Sequence, residues 1–277
     1  MYVIKANGEK EEFDKSKIIR TCLRMGASRE LAEEIASEVE KRAYDGIPTK
    51  EILKTILKLL EERYHPAFKH REDLRSALSL LRPKPDFEQY VRIVLRELGY
   101  FVLPNQIIRG KCLEYELDGI IEKDDKRYML EVKHHVNPHT PTGLEVCLAV
   151  HAKLLDINEG YRLGLTTVKL DGAIIVCNTK FSYHARKYAE CAGLMLLGWN
   201  HPSENGLSTI IEKKKLYPIT CIKGFSRDVY AKLAEARVLL LRQVAESPLE
   251  ELTKITGLDE DTLRLLKDRA LKIMSIY

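Results

Sequence analysis

The segment Tyr115–His135, YELDGIIEKDDKRYMLEVKHH, constrains the fold of this chain more than any other stretch. Apolar and β-branched residues stand on either side of the polar run Lys123–Lys126. This is the pattern of two strands joined by a tight turn. A turn centred between Asp124 and Asp125 fixes which residues of the two strands face each other. The segment therefore predicts a β-hairpin with a defined register.

That register brings three charged side chains together. Asp118 is placed opposite Glu131, and Lys133 projects from the same face because strand side chains alternate. Two facing carboxylates repel each other unless a cation neutralises them, and hard oxygen ligands suit Mg²⁺ or Mn²⁺. The hairpin thus predicts a divalent-cation site. A Glu-Val-Lys alternation is also typical of an edge strand with one solvated face, and this alternative stays open.

Length and composition set wider limits. The 277 residues suit two or three domains, and a net charge of +4 permits a nucleic-acid partner without requiring one. The six cysteines include no CxxC pair, and there is no signal peptide, so we expect buried thiols in a reducing cytoplasm. No apolar run is long enough to cross a bilayer. We therefore expect a cytoplasmic protein with no membrane partner.

Residues 1–82 are predicted to form a β-hairpin followed by helices. Asn7-Gly8 is a strong turn signal between two short strands. Asp14, Ser28 and Thr49 each precede a helical pattern and are predicted N-caps. A fourth helix, around Lys69–Leu81, closes this first predicted domain.

The order VIKANGEKEEFDKSKI followed by AYDGIPTKEI resembles the ATP-cone. This small nucleotide-binding module regulates ribonucleotide reductases and occurs in their transcriptional repressor. The resemblance implies ATP or dATP as a ligand, with Lys5 and Lys17 at the phosphates and Val3 and Ile4 near the base. The family usually has two adjacent basic residues before its turn, and Ala6 takes the second place here; losing one phosphate-pairing charge costs about 1–3 kcal/mol. A degenerate cone kept for dimerisation or packing is the alternative.

Residues 83–222 alternate helices with strands. Pro83-Lys84-Pro85 is a predicted linker, and Asp86 is predicted to cap a helix through Leu98. A strand over Tyr100–Leu103 and a turn at Pro104-Asn105 lead to the hairpin. Further elements follow it: a helix over 144–158, a buried strand over 171–177, a helix over 182–191 and a strand over 194–197. This order predicts an α/β core with a mixed central sheet covered on both faces.

A helix carrying Glu88, then Asp118, then Glu131-x-Lys133 is similar to the PD-(D/E)xK restriction-endonuclease superfamily. The tracts GLEVCLAVHAKLLDI, IIVCNTKFSYHARKYAE and LLGWNHP resemble its archaeal Mrr-type (type IV) branch. The resemblance implies Mg²⁺-dependent phosphodiester hydrolysis, with Asp118, Glu131 and the carbonyl of Val132 holding the ion. Lys133 would orient or deprotonate the attacking water. Glu88 would reach the ion through water or complete a second site, or else be an exposed helix glutamate.

Three histidines follow the hairpin, at positions 134, 135 and 139. A histidine cluster beside a carboxylate can bind zinc, but adjacent strand residues point to opposite faces, so His134 and His135 are not expected to share an ion. His135 has the parity of Glu131 and Lys133 and is a candidate contact to DNA phosphate. Lys153 is another candidate phosphate contact, or else a solvated lysine on its helix.

Residues 223–277 are predicted to form a helical tail. Ser226 is predicted to cap one helix through Ala245, and Asp259 to cap the last helix. The tract LEELTKITGLDEDTLRLLKDRA resembles a helix-hairpin-helix motif, whose turn at Gly257 would present backbone N–H groups to a DNA phosphate. Acidic residues at 259–261 would repel a phosphate and suit ordinary capping, so a packing role is the alternative.

These patterns predict a multidomain α+β and α/β protein: a mostly helical ATP-cone with an N-terminal hairpin, a restriction-endonuclease-like core, and an all-α tail. The first functional hypothesis is a Mg²⁺-dependent endonuclease acting on double-stranded DNA, regulated by ATP or dATP. A homodimer is expected because a double-strand cut needs two active sites. The alternative is a catalytically silent, nucleotide-responsive DNA-binding regulator. A third possibility is a regulatory subunit of a ribonucleotide reductase, and only the resemblance to the ATP-cone supports it.

Overall fold

The computed structural model describes residues 1–25, 27–63 and 71–275, and the chain divides into two compact units. The central unit comprises Asp73–Thr220, and the terminal unit combines Met1–Glu72 with Cys221–Tyr277. Lys69 and His70, where the fourth helix was predicted to begin, lie outside the described residues. That helix is observed as α4 (Leu74–Leu80), and it belongs to the central unit rather than to the first predicted domain.

The N-terminal part of the terminal unit is a small sheet with three helices. Its strands are β1 (Tyr2–Ile4), β2 (Lys10–Glu12) and β3 (Ile47–Pro48), with β2 antiparallel and β3 parallel to β1. The helices are α1 (Lys15–Arg24), α2 (Arg29–Arg42) and α3 (Thr49–Arg63). The side chains of Asp14 and Ser28 accept hydrogen bonds from first-turn N–H groups, as the sequence predicts. Apolar residues of β1, β3 and the three helices share one buried core.

The C-terminal part of the terminal unit is helical, as expected. It contains α9 (Arg227–Glu235), α10 (Leu241–Glu246), α11 (Leu249–Thr256) and α12 (Glu260–Met274). The prediction of a single helix from Ser226 through Ala245 is wrong. Arg237 adopts a positive φ of 60°, and the side chain of Gln243 accepts the N–H groups of Leu239 and Leu240, so a new helix begins there.

The central unit is built on one mixed sheet. The strands are β4 (Phe101–Arg109), β5 (Glu114–Lys123), β6 (Lys126–Lys133), β7 (Gly172–Cys177) and β8 (Met195–Leu197), in that spatial order. Pairing is antiparallel from β4 to β6 and parallel from β6 to β8. The helices are α4, α5 (Glu88–Glu97), α6 (Leu144–Arg162), α7 (Tyr183–Ala192) and α8 (Leu207–Lys214). Every residue of β7 is buried, so both faces of the sheet are covered there.

Several local predictions for residues 83–222 are wrong. Asp86 does not cap α5; its carboxylate pairs with Arg82 at 2.7 Å, and a π-turn over Pro83–Phe87 precedes the helix. The strand β4 continues through Pro104, which an edge strand tolerates because its outer N–H needs no partner.

The cysteines are all free thiols, but only four are buried. Cys112 and Cys191 are exposed, contrary to the expectation that all six lie in the core. Burial raises the pKa of the Cys22 thiol to about 11, so this group packs as a neutral side chain. None of the described helices is long and apolar enough to span a bilayer.

Candidate active site

From the turn to Gly119 the hairpin of β5 and β6 has the register that the sequence predicts, but the predicted pairing of Asp118 with Glu131 is not among the pairs described. The paired residues run from Gly119 opposite Leu130 to Lys123 opposite Lys126. Asp124 and Asp125 form the turn, with φ values of 51° and 59°. Positive φ at both central residues is what a two-residue turn of type I′ requires, and Asp tolerates this conformation. The turn therefore sets the register that orients the residues at the far end of the hairpin.

The regular pairing of β5 is interrupted at Asp118. Among the pairs described, Gly119 is the last residue of β5 to pair with β6, and the pairing with β4 passes over Asn105 and Asp118. Asn105 has a φ of 49°, outside the strand region. Other groups bind Asp118 in place of a strand ladder: Arg92 Nη2 donates to its backbone oxygen (3.1 Å), and its Oδ2 accepts the Val132 N–H (2.7 Å). The interruption leaves Asp118 Oδ1 for other contacts.

Four charged residues form what we call the Asp118 cluster: Lys84, Glu88, Arg92 and Asp118. Lys84 Nζ lies 3.1 Å from Glu88 Oε1 and 3.4 Å from Asp118 Oδ1. Arg92 Nη2 lies 3.3 Å from Glu88 Oε2 and also donates to Asn105 Oδ1 at 2.7 Å. Glu88 is therefore not an exposed helix residue; it is buried and shares one ammonium with Asp118.

Three residues form the neighbouring Glu131 cluster: Glu131, Lys133 and Lys153. Glu131 Oε1 lies 2.6 Å from Lys133 Nζ, and Oε2 lies 3.2 Å from Lys153 Nζ. Lys153 reaches the carboxylate from α6, so it is not the freely solvated helix lysine that was the alternative. The Asp118–Val132 hydrogen bond joins the two clusters across adjacent strands.

Burial and charge act in opposite directions on the two buried glutamates. Burial raises the pKa of Glu88, and the charge of Asp118 adds to this, against the opposing effects of Lys84 and Arg92. Burial would also raise the pKa of Glu131, but the hydrogen bonds and charges of Lys133 and Lys153 outweigh it, so that pKa is lowered. Glu131 is thus held as an anion, whereas Glu88 needs a nearby cation to stay ionised.

The donor chemistry of these clusters fits a divalent cation bound mainly by two carboxylates. Across the described residues, no three His, Cys, Asp or Glu side chains are grouped to hold a metal ion, so the expected metal set is not preassembled. Mg²⁺ needs fewer protein ligands, because it keeps several waters and commonly uses one or two carboxylates together with substrate phosphates. The Asp118 and Glu131 carboxylates suit this mode, and each lies beside ammonium groups where positive charge is already favoured.

The three histidines that follow the hairpin each contact a different partner. His134 Nε2 contacts the Leu78 carbonyl oxygen at 3.0 Å, and its ring packs on Phe87. The ring of His135 is hydrogen-bonded to Thr142 Oγ1 at 2.9 Å, and His139 contacts Arg75. Burial lowers the pKa of all three. Zinc binding by the group is not supported, and His135 is occupied in loop packing.

The residues predicted to bind nucleotide lie close together in the terminal unit. Glu11 Oε1 lies 2.8 Å from Lys17 Nζ and 3.4 Å from Lys5 Nζ, so one carboxylate brings the two ammonium groups together. Val3 and Lys17 also line a cavity of about 170 Å³, which has apolar walls formed largely by α1 and α3. The arrangement combines an apolar pocket with the Lys17 ammonium in its lining, and Glu11, which also lines the pocket, holds Lys5 nearby.

At the tail, Gly257 ends α11 in the left-handed conformation, with a φ of 63°. The next helix, α12, is capped by Asp259, whose carboxylate accepts the Thr262 N–H at 2.7 Å. Glu260 and Asp261 occupy its first turn. Three carboxylates at this terminus oppose a phosphate, which favours the packing alternative.

Sequence reasoning did not select Lys84 and Arg92 as site residues. Both stand four positions from Glu88, one on each side. Arg92 shares the face of α5 that carries Glu88, whereas Lys84 lies in the turn before α5 and reaches Glu88 from an extended backbone. A search for cations at this spacing around a candidate glutamate would have found them. Asn105 accepts a hydrogen bond from Arg92, but no sequence spacing indicates this contact, because Asn105 lies on β4 and Arg92 on α5.

Comparison with known proteins identifies relatives for both parts of the chain. Residues 1–77 match the ATP cone domain family. An uncharacterized protein of Archaeoglobus fulgidus is 35% identical over 181 residues, which is 65% of this chain and 98% of the relative. A second uncharacterized protein of that organism is 55% identical over 42 residues, which is 15% of this chain and 87% of the relative.

A solved structure supports the same relationship. The crystal structure of a protein of unknown function, AF1548, is similar with a TM-score of 0.58 and 34% sequence identity. The similarity covers 68% of this chain and 96% of that protein. The chain therefore carries an ATP cone domain at its N-terminus and belongs to the family of the uncharacterized Archaeoglobus fulgidus protein.

Proposed function

We propose that the central unit is a Mg²⁺-dependent endodeoxyribonuclease of the PD-(D/E)xK type that acts on double-stranded DNA. The observation that supports this most is that Asp118 Oδ2 accepts the N–H of Val132, the residue between Glu131 and its ion-pair partner Lys133, at the interrupted end of one hairpin. Together the two clusters hold four cationic groups and three carboxylates. This excess of positive charge suits the phosphate backbone of a nucleic acid.

Each residue has a role that follows from its position. Asp118 and Glu131 would hold the cation, together with the backbone carbonyl of Val132. A bound Mg²⁺ polarises the scissile phosphate and makes a coordinated water more acidic. Lys133 orients the attacking water and stabilises negative charge that develops on the phosphate oxygens. Lys153 keeps Glu131 ionised, and Arg92 positions both Glu88 and the backbone of Asp118.

In this proposal the cone domain binds a regulatory nucleotide. ATP or dATP binds with its base in the apolar cavity beside Val3 and its phosphates at Lys5 and Lys17. The Mrr-like assignment of the central unit, the helix-hairpin-helix assignment of the tail and a homodimeric assembly are parts of the same proposal. Isothermal titration with ATP and dATP tests the nucleotide, and an absence of heat at millimolar nucleotide would refute its binding.

One observation favours a second candidate function. Every carboxylate in the two clusters already lies within ion-pair distance of a cationic side chain, so the fold can keep these carboxylates ionised without a metal. This arrangement suits a catalytically silent core in a nucleotide-responsive DNA-binding regulator. The two candidates differ in whether any DNA is cut.

A cleavage assay separates them. Supercoiled and linear plasmid, methylated and unmethylated, is incubated with the full-length protein and Mg²⁺ or Mn²⁺, with and without ATP. The nuclease proposal expects metal-dependent nicking that Lys133→Met abolishes. A matched control is Lys169→Met, which removes an exposed lysine 4.0 Å from Asp171 and should cut normally. DNA binding without cleavage by the wild type and both variants would support the regulator instead.

A further inference from the structure

One ammonium group, that of Lys84, bridges two carboxylates from different elements. Its Nζ lies 3.1 Å from Glu88, the first residue of α5, and 3.4 Å from Asp118 on β5. The two carboxylates are separated by 30 positions in the sequence and meet only through folding. A point charge held between two carboxylate oxygens occupies the position that a shared divalent cation would take.

The exposure of the three side chains is very unequal. Glu88 and Asp118 are only 9% and 13% exposed, whereas Lys84 is 67% exposed. The buried carboxylates lose most of their hydration and need a positive charge nearby. The Lys84 ammonium, in contrast, stays largely hydrated within the ion pair, because its long, flexible side chain already reaches water. Its hydration therefore changes little when it leaves. The carboxylates are therefore fixed, and the cation between them is exchangeable.

The position of Lys84 in the chain supports this difference. It stands between Pro83 and Pro85 and has an extended backbone, with φ of −126° and ψ of 135°, where the π-turn before α5 is kinked. Lys133 and Lys153, by contrast, are on a central strand and a long helix, and both contact Glu131. Among these lysines, Lys84 is the one whose removal disturbs the least surrounding structure.

We propose that Lys84 is a built-in counter-ion: its ammonium, which pairs with both Glu88 and Asp118, competes with the divalent cation for Asp118, the carboxylate that belongs to the proposed metal site. When the metal binds, the ammonium is displaced and becomes available to a phosphate oxygen of the nucleic acid. Metal and nucleic acid then bind cooperatively, because the metal releases a cation that the nucleic acid uses. The inference rests on the proposed function for the identity of the metal and the polymer, but its first test does not involve cleavage.

The test is Mn²⁺ binding to the full-length protein, measured by isothermal titration in the absence of DNA. Lys84→Met should bind Mn²⁺ about threefold to tenfold more tightly than the wild type, since a competing ion pair has been removed. Lys187→Met is the matched control. That lysine is 62% exposed and lies 3.5 Å from the single carboxylate of Glu190, and its removal should leave Mn²⁺ affinity unchanged.

A second measurement tests the released ammonium. Binding of a short fluorescein-labelled duplex is followed with Ca²⁺ present, over a range of salt concentrations. Lys84→Met should weaken this binding and reduce the salt dependence by about one phosphate contact. Should the Met variant fold poorly, Lys84→Gln replaces it, because Gln removes the charge and keeps a donor.

The outcomes separate this inference from the proposed function. Tighter Mn²⁺ binding by the Lys84 variant, in a protein that cuts no DNA, supports the counter-ion and refutes the nuclease. DNA cleavage by the wild type, together with a Mn²⁺ affinity of Lys84→Met that is no higher than that of the wild type, refutes the counter-ion alone. Absence of Mn²⁺ binding by both proteins also refutes it.

Discussion

Replacing Asp118 by Ala and by Asn should separate its structural contribution from its chemical one. Its Oδ2 accepts the Val132 N–H at 2.7 Å, at the point where the regular pairing of β5 and β6 has ended. Its Oδ1 lies 3.4 Å from Lys84 Nζ. Ala removes the acceptor and the charge together, whereas Asn keeps a carbonyl oxygen for the Val132 N–H and removes only the charge.

The magnitudes follow from burial. Val132 is buried, so Asp118→Ala leaves its N–H without a protein acceptor, which costs about 1–3 kcal/mol. Part of this is recovered, because Asp118 repels the buried Glu88 and raises its pKa; relief of such a charge contact returns about 0.5 kcal/mol. We therefore expect a net loss of about 1–2 kcal/mol for Asp118→Ala, and a change within about 0.5 kcal/mol for Asp118→Asn.

The assay uses the single tryptophan of the chain, Trp199, which lies in the central unit. Its fluorescence during urea unfolding reports on this unit without interference from another tryptophan. Plasmid cleavage is measured on the same samples, and both variants should lose it. Equal unfolding midpoints for Ala and wild type would refute the hydrogen-bond argument. Cleavage retained by Asp118→Asn would refute the requirement for a carboxylate.

Three further predictions concern other charges and one turn. Glu131→Gln should destabilise the central unit by about 2 kcal/mol at neutral pH. The pKa of Glu131 in the folded protein is lowered from 4.5, so urea unfolding should show the full difference between variant and wild type above pH 4.5, and the difference should disappear as the pH falls further. Glu11→Gln should tighten ATP binding about threefold by freeing Lys5 and Lys17, whereas unchanged calorimetric affinity would exclude these lysines from the phosphate site. Gly257→Ala should cost about 1 kcal/mol by thermal unfolding through its left-handed backbone, since within the described residues no atom beyond the adjoining backbone lies within 4 Å of the added Cβ. Gly257→Asn should cost less, and the reverse order would contradict this reasoning.

Local chemistry decided the parts of this fold that the sequence predicted correctly. The Asp124-Asp125 turn set the hairpin register, because positive φ at both positions joins the strands in only one way. The caps at Asp14, Ser28, Ser226 and Asp259 satisfy N–H groups within three residues, so they are visible in a short window of sequence. The ATP cone was likewise recognised from its motifs, and the family match confirmed it.

Predictions failed where a side chain three or four positions away competes for a group that the predicted element would have used. Asp86 has the character of an N-cap, but Arg82 binds its carboxylate in the fold. The break before α10 depends on Gln243 binding two N–H groups that a continuous helix would have used. Such competition is decided by the free energy of the whole arrangement and not by the propensity of one residue.

The sequence by itself determined that Asp118, Glu131 and Lys133 belong to one hairpin, since the spacing of a hairpin is fixed by its turn. Only the tertiary structure decided which cations complete the site. Lys84 reaches Asp118 across 34 positions and Lys153 reaches Glu131 across 22, through packing of α5 and α6 against the sheet. Ion pairs of this kind are set by where helices pack, because a charged side chain carries no local signal that names its partner.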